Sequence, residues 1–343
     1  MPKFFNFLKI ILINISIFFT FLIVLDLIFG SWFKNNFNLR LSSERNINRV
    51  YKFNFDNHKG QSLYIRDNLG FRVNDRSTVP KDIDIIFAGG STTNQKFLNH
   101  DETIVGILDD KIKDFKFANS GIDGMSIIGH INSFDLWFNK IEDLNPSYFI
   151  FYIGVNDQFL FSENNKDRNI DQLTESSRKA QIREYLESNS FFYKQFRILK
   201  STMFLKFGLD KGASHVNKKT VVYSEREDKK FILYEEYLSK KTNKRKEKIY
   251  NSYLETLTNK VIENKSKIIY LTQTSGYGMN DNLYLIASTI MKHCKKFQLT
   301  CFNLAKEANL DYNDFYDALH LNRIGSIKVS NYLYEKLIKI LNN

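Results

Sequence analysis

The sequence predicts an α/β fold: a three-layer α/β/α sandwich on a mostly parallel sheet, preceded by an N-terminal transmembrane helix. Three observations predict it. Short, nearly continuous apolar runs at 83–88, 148–153 and 267–271 read as strands buried on both faces. Amphipathic helical stretches separate them, which is the pattern of parallel strands joined by crossover helices. Near the start of the chain, residues 10–25 are uncharged and rich in Ile, Leu and Phe.

Composition narrows the class. Of 343 residues, 43 % are hydrophobic and 25 % charged, which excludes a wholly disordered chain, a collagen and a polytopic transporter. The length suits one large domain with insertions or two smaller ones. The formal net charge of +11 (49 basic minus 38 acidic residues) favours anionic surfaces, nucleic acid or lipid. The simpler reading is a coding bias toward Lys, Asn, Ile, Phe and Tyr. No zinc finger, RNP-like strand or basic zipper accompanies the charge, so no nucleic-acid partner is expected. Two cysteines, Cys294 and Cys301, are too few for a metal cluster, and free thiols are expected, with a disulfide as the alternative.

Taken in order, residues 1–33 read as a membrane anchor. Asp26 is the one charge between Lys9 and Lys34, and about 20 apolar residues suffice to cross a bilayer. Asp26 falls near the far headgroups, and Trp32 and Phe33 fit an interfacial belt. A cleaved signal peptide is the alternative, but its apolar core is shorter and no Ala-x-Ala follows here. Basic residues flank the run on both sides, so charge alone leaves the orientation open.

Residues 34–80 read as an extended approach segment with a turn at 68–70. One large domain then spans 81–343. Its first strand, 83–88, ends at Gly89-Gly90, and a helix at 102–113 follows with Ile104, Ile107, Leu108 and Ile112 on one face. A short strand at 115–118, a helix at 126–142 and the strand at 148–153 come next. Residues 158–263 read as a long, largely helical insertion with segments at 171–187, 191–207 and 231–263. Its basic run at 240–246 is expected as a solvated face, or else as a patch for anionic lipid headgroups. A strand at 267–271, a helix at 281–296, a strand at 299–304 and a terminal helix at 322–342 complete the order. The last helix is expected to bury Ile324, Ile327, Val329, Leu333 and Leu337.

Sites in such sheets lie at the carboxyl ends of the strands. Four blocks sit there: Gly89-Gly90-Ser91-Thr92, Asn119-Ser120-Gly121-Ile122-Asp123-Gly124, Gly154-Val155-Asn156-Asp157 and Asp317-Ala318-Leu319-His320. Ester cleavage needs a nucleophile, a base and donors for an oxyanion. Ser91 can be the nucleophile, His320 its base and Asp317 the group that fixes the imidazole tautomer. Asn156 offers an amide donor, and the Ser91 and Gly124 N–H groups offer two more. Arg72 and Arg323 are candidates for an anionic substrate, though structural pairing is the simpler reading, and Gln273 is a candidate for lining the cleft.

The four blocks together resemble the SGNH (or GDSL) hydrolase family, in particular its membrane-anchored bacterial members with Gly-Gly-Ser-Thr at the nucleophile and a preceding Gly-Phe-Arg, here Gly70-Phe71-Arg72. The resemblance covers 82–157 and 265–342 and leaves 158–263 unexplained. It implies Ser91 as nucleophile, Gly124 and Asn156 in the oxyanion hole, His320 as base and Asp317 as its orienter. Gly90 stands where the family commonly has Asp, which is expected to leave the backbone freer to turn.

The resulting expectation is a serine esterase that removes a small acyl group, such as acetyl, from a cell-envelope carbohydrate. It needs no cofactor and no metal. Its expected partners are an acylated glycan, or another small ester, and membrane lipid through a single-pass helix, with the catalytic domain on the extracytoplasmic side. An O-acyltransferase built on the same residues and a catalytically inactive glycan-binding or assembly scaffold are the rival readings.

Overall fold

Alternation along the apolar strands sends neighbouring side chains to opposite faces of one sheet. In β4 (Ile85–Gly89), β6 (Tyr148–Tyr152) and β7 (Lys267–Leu271), Ile86, Ala88, Phe149, Phe151, Ile268 and Tyr270 face one way. Ile85, Phe87, Ile150, Tyr152, Ile269 and Leu271 face the other. Each set is buried under helices, which makes three layers. The first is covered by α4 (Ile127–Leu136), α7 (Lys244–Glu263) and α8 (Asp281–Phe297). The second is covered by α3 (Ile104–Lys111) and α10 (Arg323–Leu341). This computed structural model describes residues 2–33, 45, 47–74, 78–161, 178–207 and 231–341.

The sheet has eight strands in the order β1-β2-β3-β5-β4-β6-β7-β8. The five strands β5 (Phe117–Asn119), β4, β6, β7 and β8 (Thr300–Phe302) pair in parallel. The other three are antiparallel and come from the segment expected to be an extended approach. There, β1 (Ile47–Phe55) and β2 (His58–Arg66) form a hairpin, and β3 (Arg72–Val73) joins it to β5. The sheet therefore takes in residues well before 81. The hairpin escaped notice because much of it stays open to solvent, so its strands carry no continuous apolar run.

The segment 158–263 also divides differently. Residues 162–177 and 208–230 lie outside the described residues. Of the expected helices, α5 (Arg178–Asn189) and α6 (Phe191–Phe207) form in the insertion. By contrast α7, with Tyr250, Leu254, Leu257 and Val261 buried, is the ordinary crossover helix into β7.

In α10 the inner face carries Gly325, Ser326, Val329, Ser330, Leu333 and Leu337, whereas Ile324 and Ile327, expected to be buried, are exposed. Small residues explain the shift. A Cβ on Gly325 would collide with the Asp314 carbonyl, and Ser330 Oγ donates to Ser326 O at 2.7 Å, so the helix packs close through residues that look polar in sequence. Cys294 and Cys301, expected as free thiols, are joined in a disulfide with Cα atoms 6.2 Å apart. The helix end and the adjoining strand bring them within bridging range.

The N-terminal helix α1 spans Pro2–Phe29, and its stretch Lys9–Phe29 is 21 residues long, apolar and unburied. At about 1.5 Å per residue this length matches a hydrocarbon core.

Candidate active site

Ser91 is the first residue of α2 (Ser91–Asn94), a single turn that springs directly from the end of β4. The two glycines before it are there for space. A Cβ on Gly89 would collide with Thr93 Oγ1, and one on Gly90 would collide with Asn156 Nδ2. Gly90 lies at φ −85° and ψ −150°, outside the regular α and β regions. The empty side chain lets the third block approach the nucleophile.

Two arginines from the antiparallel strands hold this turn. The Arg72 guanidinium, buried, donates to the carbonyls of Asn94, Gln95 and Leu98. Burial lowers its pKa to about 10, and it stays charged at neutral pH. Arg66 donates to Gly121 O at 2.7 Å, Asn94 Oδ1 at 3.2 Å and Gly70 O. Arg72 is thus a structural clasp, not a substrate ligand. Arg323 pairs with Glu102 at the surface.

The second block docks on the same turn. Asn119 Nδ2 donates to Thr93 O at 3.0 Å, and Ile122 N–H to Gly89 O at 3.1 Å. Asp123 accepts from Asn94 Nδ2 and from Lys96 Nζ, both at 2.8 Å. Burial works to raise the Asp123 carboxyl, but Lys96 and Asn94 outweigh it and hold it below the ordinary range. Gly124 follows at φ +78°, a left-handed conformation that glycine takes without strain. Among the described residues, no hydrogen bond uses the N–H of Ser91 or of Gly124.

The third block is shaped by Gly154 at φ +141° and fixed by Gln273. Gln273 Oε1 accepts from Val155 N–H at 2.7 Å, while its Nε2 donates to Thr92 Oγ1 at 2.7 Å and Tyr152 O at 3.0 Å. Gln273 is therefore buried beneath the cleft as a strut between two blocks, where the sequence suggested a lining residue. Asn156 is half-buried, and its Nδ2 donates to Met125 O at 2.9 Å. Asp157 turns inward: it accepts from Ile127 N–H at 2.7 Å, capping α4, and from the Tyr250 hydroxyl at 2.6 Å. Burial pushes its carboxyl up to about 6.

The fourth block completes the geometry. His320 Nε2 lies 2.8 Å from Ser91 Oγ. His320 Nδ1 lies 2.8 and 2.9 Å from the two Asp317 oxygens. Asp317 also accepts the N–H groups of Leu319 and His320, each at 2.8 Å. Burial works to raise the Asp317 carboxyl, but His320 and these N–H groups prevail and keep it below the ordinary carboxylate range. A stack of rings backs the imidazole: Tyr316 lies parallel to His320 at 5.5 Å, and His58, from the hairpin, lies parallel to Tyr316 at 5.1 Å. Nothing in the local pattern around His58 announces this, because the two rings are far apart in the chain.

Ser91, Asn156, Asp317, His320 and the Gly124 loop thus come to one edge of the sheet. An acidic group fixes Nδ1–H of the imidazole, the free Nε2 meets a hydroxyl, and unpaired N–H groups lie on the flanking loops. Such a constellation can deprotonate the serine and receive negative charge on a carbonyl oxygen.

No protein-family model matches the chain, and no curated protein matches its sequence. Solved structures similar to it include a member of the lipolytic protein G-D-S-L family from Veillonella parvula DSM 2008. It is 13 % identical with a TM-score of 0.43, the match covering 74 % of this chain and 97 % of that one. A catalytic mutant of Axe2, an acetylxylan esterase from Geobacillus stearothermophilus, is 11 % identical with a TM-score of 0.41, covering 76 % and 95 %. The psychrotrophic esterase EstA from Pseudoalteromonas sp. is 14 % identical with a TM-score of 0.40, covering 76 % and 100 %.

Proposed function

We propose that the chain is an SGNH-type serine esterase that removes a small acyl group from a carbohydrate. The carrying observation is the unbroken relay from Ser91 Oγ to His320 Nε2 at 2.8 Å and from His320 Nδ1 to Asp317 at 2.8 Å. His320 takes the hydroxyl proton as Ser91 Oγ attacks the ester carbonyl. The oxyanion is received by the Ser91 and Gly124 N–H groups and the Asn156 amide. Collapse breaks the C–O bond, and the His320 proton goes to the departing sugar hydroxyl. Water then attacks the acyl-serine, with His320 again as base, and releases the acid and free Ser91.

A sugar substrate is supported by a cavity of about 820 Å³ on the same edge, where α7 and α8 begin. The amides of Asn280 and Asn282 and the cations Lys240, Lys241 and Lys246 line it beside Tyr237 and Tyr284, a mix able to hydrogen-bond a hydroxylated ligand. Gln158 lines it too and bonds to Val155 O at 2.8 Å, beside Asn156. Hydrolysis is favoured over acyl transfer because His320 and Asp317 keep 22 % and 25 % of their side-chain surface open, within reach of water. The apolar length of α1 and the disulfide both support a single-pass anchor with the catalytic domain outside the reducing cytoplasm.

Labelling with a fluorophosphonate, followed by peptide mapping, is expected to modify Ser91 and no other serine. Ser91→Ala is expected to abolish p-nitrophenyl acetate and acetylated-glycan turnover while leaving thermal unfolding unchanged. Persistent turnover in that variant would refute the mechanism. Acyl transfer to an added sugar outrunning hydrolysis would replace the esterase with a transferase.

A further inference from the structure

The foot of the N-terminal helix is built into the catalytic domain. Asp26, the one acid in that apolar stretch, accepts from the Ser190 hydroxyl at 3.0 Å and from Phe192 N–H at 2.9 Å. It therefore caps the start of α6, a position that favours an anion. Its other oxygen accepts from Trp32 Nε1 at 3.1 Å. Ser31 N–H donates to Asn189 O at 2.8 Å, and the Phe29 and Phe191 rings lie 5.9 Å apart. The Trp32 ring packs edge-on against Tyr185 of α5 at 5.7 Å. The exit of α1 and the entry of α6 are thus one junction.

From this junction α6 runs for 17 residues. One side packs on β1. The opposite side carries Phe196, Leu199 and Met203, spaced to share a helix face, at 61 %, 58 % and 47 % exposure. Lys200 is exposed beside them, and Ile182 and Tyr185 of α5 extend the exposed apolar surface toward Trp32. An apolar face flanked by a lysine is the pattern of a helix lying in a membrane–water interface.

We infer that α6 lies in the lipid headgroup region and seats the catalytic domain on the bilayer that α1 crosses. This rests on the reading of α1 as a membrane span. The continuity of the two surfaces selects the occupant: wherever α1 leaves the hydrocarbon, the Asp26 junction places the first turn of α6 beside the exit. The seating would hold the catalytic edge at a fixed position relative to the membrane and select esters presented close to it.

The test uses the full chain in vesicles of phosphatidylcholine and phosphatidylglycerol, with one nitroxide label per variant. The two native cysteines are joined to each other, so an introduced thiol is labelled selectively. Labels at Ile17→Cys, Leu199→Cys and Asp110→Cys report the span, the α6 face and a solvent control. Relaxation by oxygen and by a water-soluble nickel chelate is compared, with p-nitrophenyl acetate turnover as the check on folding. At Leu199→Cys the ratio of oxygen to nickel effects is expected to exceed that at Asp110→Cys by about threefold. Lipid exposure at Ile17→Cys with a water-like ratio at Leu199→Cys would overturn the inference alone. A water-like ratio at Ile17→Cys would overturn the anchor beneath it. Shielding of Leu199→Cys from both reagents, or spin–spin broadening there, would mean that protein or a second copy covers the face, and would overturn it as well.

Discussion

Gly90 and Asn156 act as a pair, and their coupling is measurable. A methyl group at position 90 would collide with the Asn156 amide and push it from its anchor on Met125 O. Asn156→Ala is expected to lower kcat by about 10²-fold, the usual cost of losing one oxyanion donor. Gly90→Ala is expected to approach that loss by displacing the same donor. In the double variant the collision is gone, so its activity should equal that of Asn156→Ala alone. Multiplying losses would show that Gly90 acts through something other than Asn156. At this scale the blocks themselves were legible, because each is a short local motif at a strand end. What Gly90 does was not: its reason is a side chain 66 positions away. Gln273 illustrates the same limit, since it bridges Thr92 and Val155 from a distant strand and only the fold reveals a strut where a lining residue was expected.

Elements are held in register by buried polar groups, and two of them give readable consequences. Arg72 satisfies three carbonyls at and just beyond the end of α2. Arg72→Met leaves the buried Asn94 and Leu98 carbonyls without this donor, and is expected to cost about 3 kcal/mol in urea unfolding. Arg72→Lys should recover little, because one ammonium cannot fork to three acceptors. Asp157 ties the third block to α4 and α7, and burial raises its carboxyl from 3.8 to about 6. A raised carboxyl stabilises the fold below its unfolded pKa, and that contribution is lost as pH rises through the folded value. Between pH 4 and 7 the wild type should therefore lose on the order of 2–3 kcal/mol relative to Asp157→Asn. Parallel stability curves for the two proteins would remove the buried-carboxyl account. The strands were legible because both their faces are apolar. The hairpin was not, because much of each strand faces water, and α10 misled because glycine and serine, rather than isoleucine, make its closest contacts.

Across the whole molecule, the proposed chemistry and the covalent bracing sit on different strands of one sheet. The proposed catalytic residues gather at the carboxyl ends of the central strands β4 and β6. The disulfide joins α8 to the outermost strand β8, which β7 separates from β6. The alternation of strand and helix made this layering legible from sequence, but the bridge itself depends on how closely α8 returns to β8, which no local pattern states. The bridge lies two strands from β6, so stability and turnover are expected to separate. The closed loop is short, with a sequence separation of 7, so the chain-entropy contribution is about 2.5 kcal/mol. Reduction with dithiothreitol is expected to lower Tm by a few degrees while kcat for p-nitrophenyl acetate at 25 °C stays unchanged. Cys294→Ala should reproduce that result without reductant. A fall in kcat that follows reduction, in protein still fully folded, would mean that the bridge is coupled to the proposed site through α8, whose first turn lines the cavity.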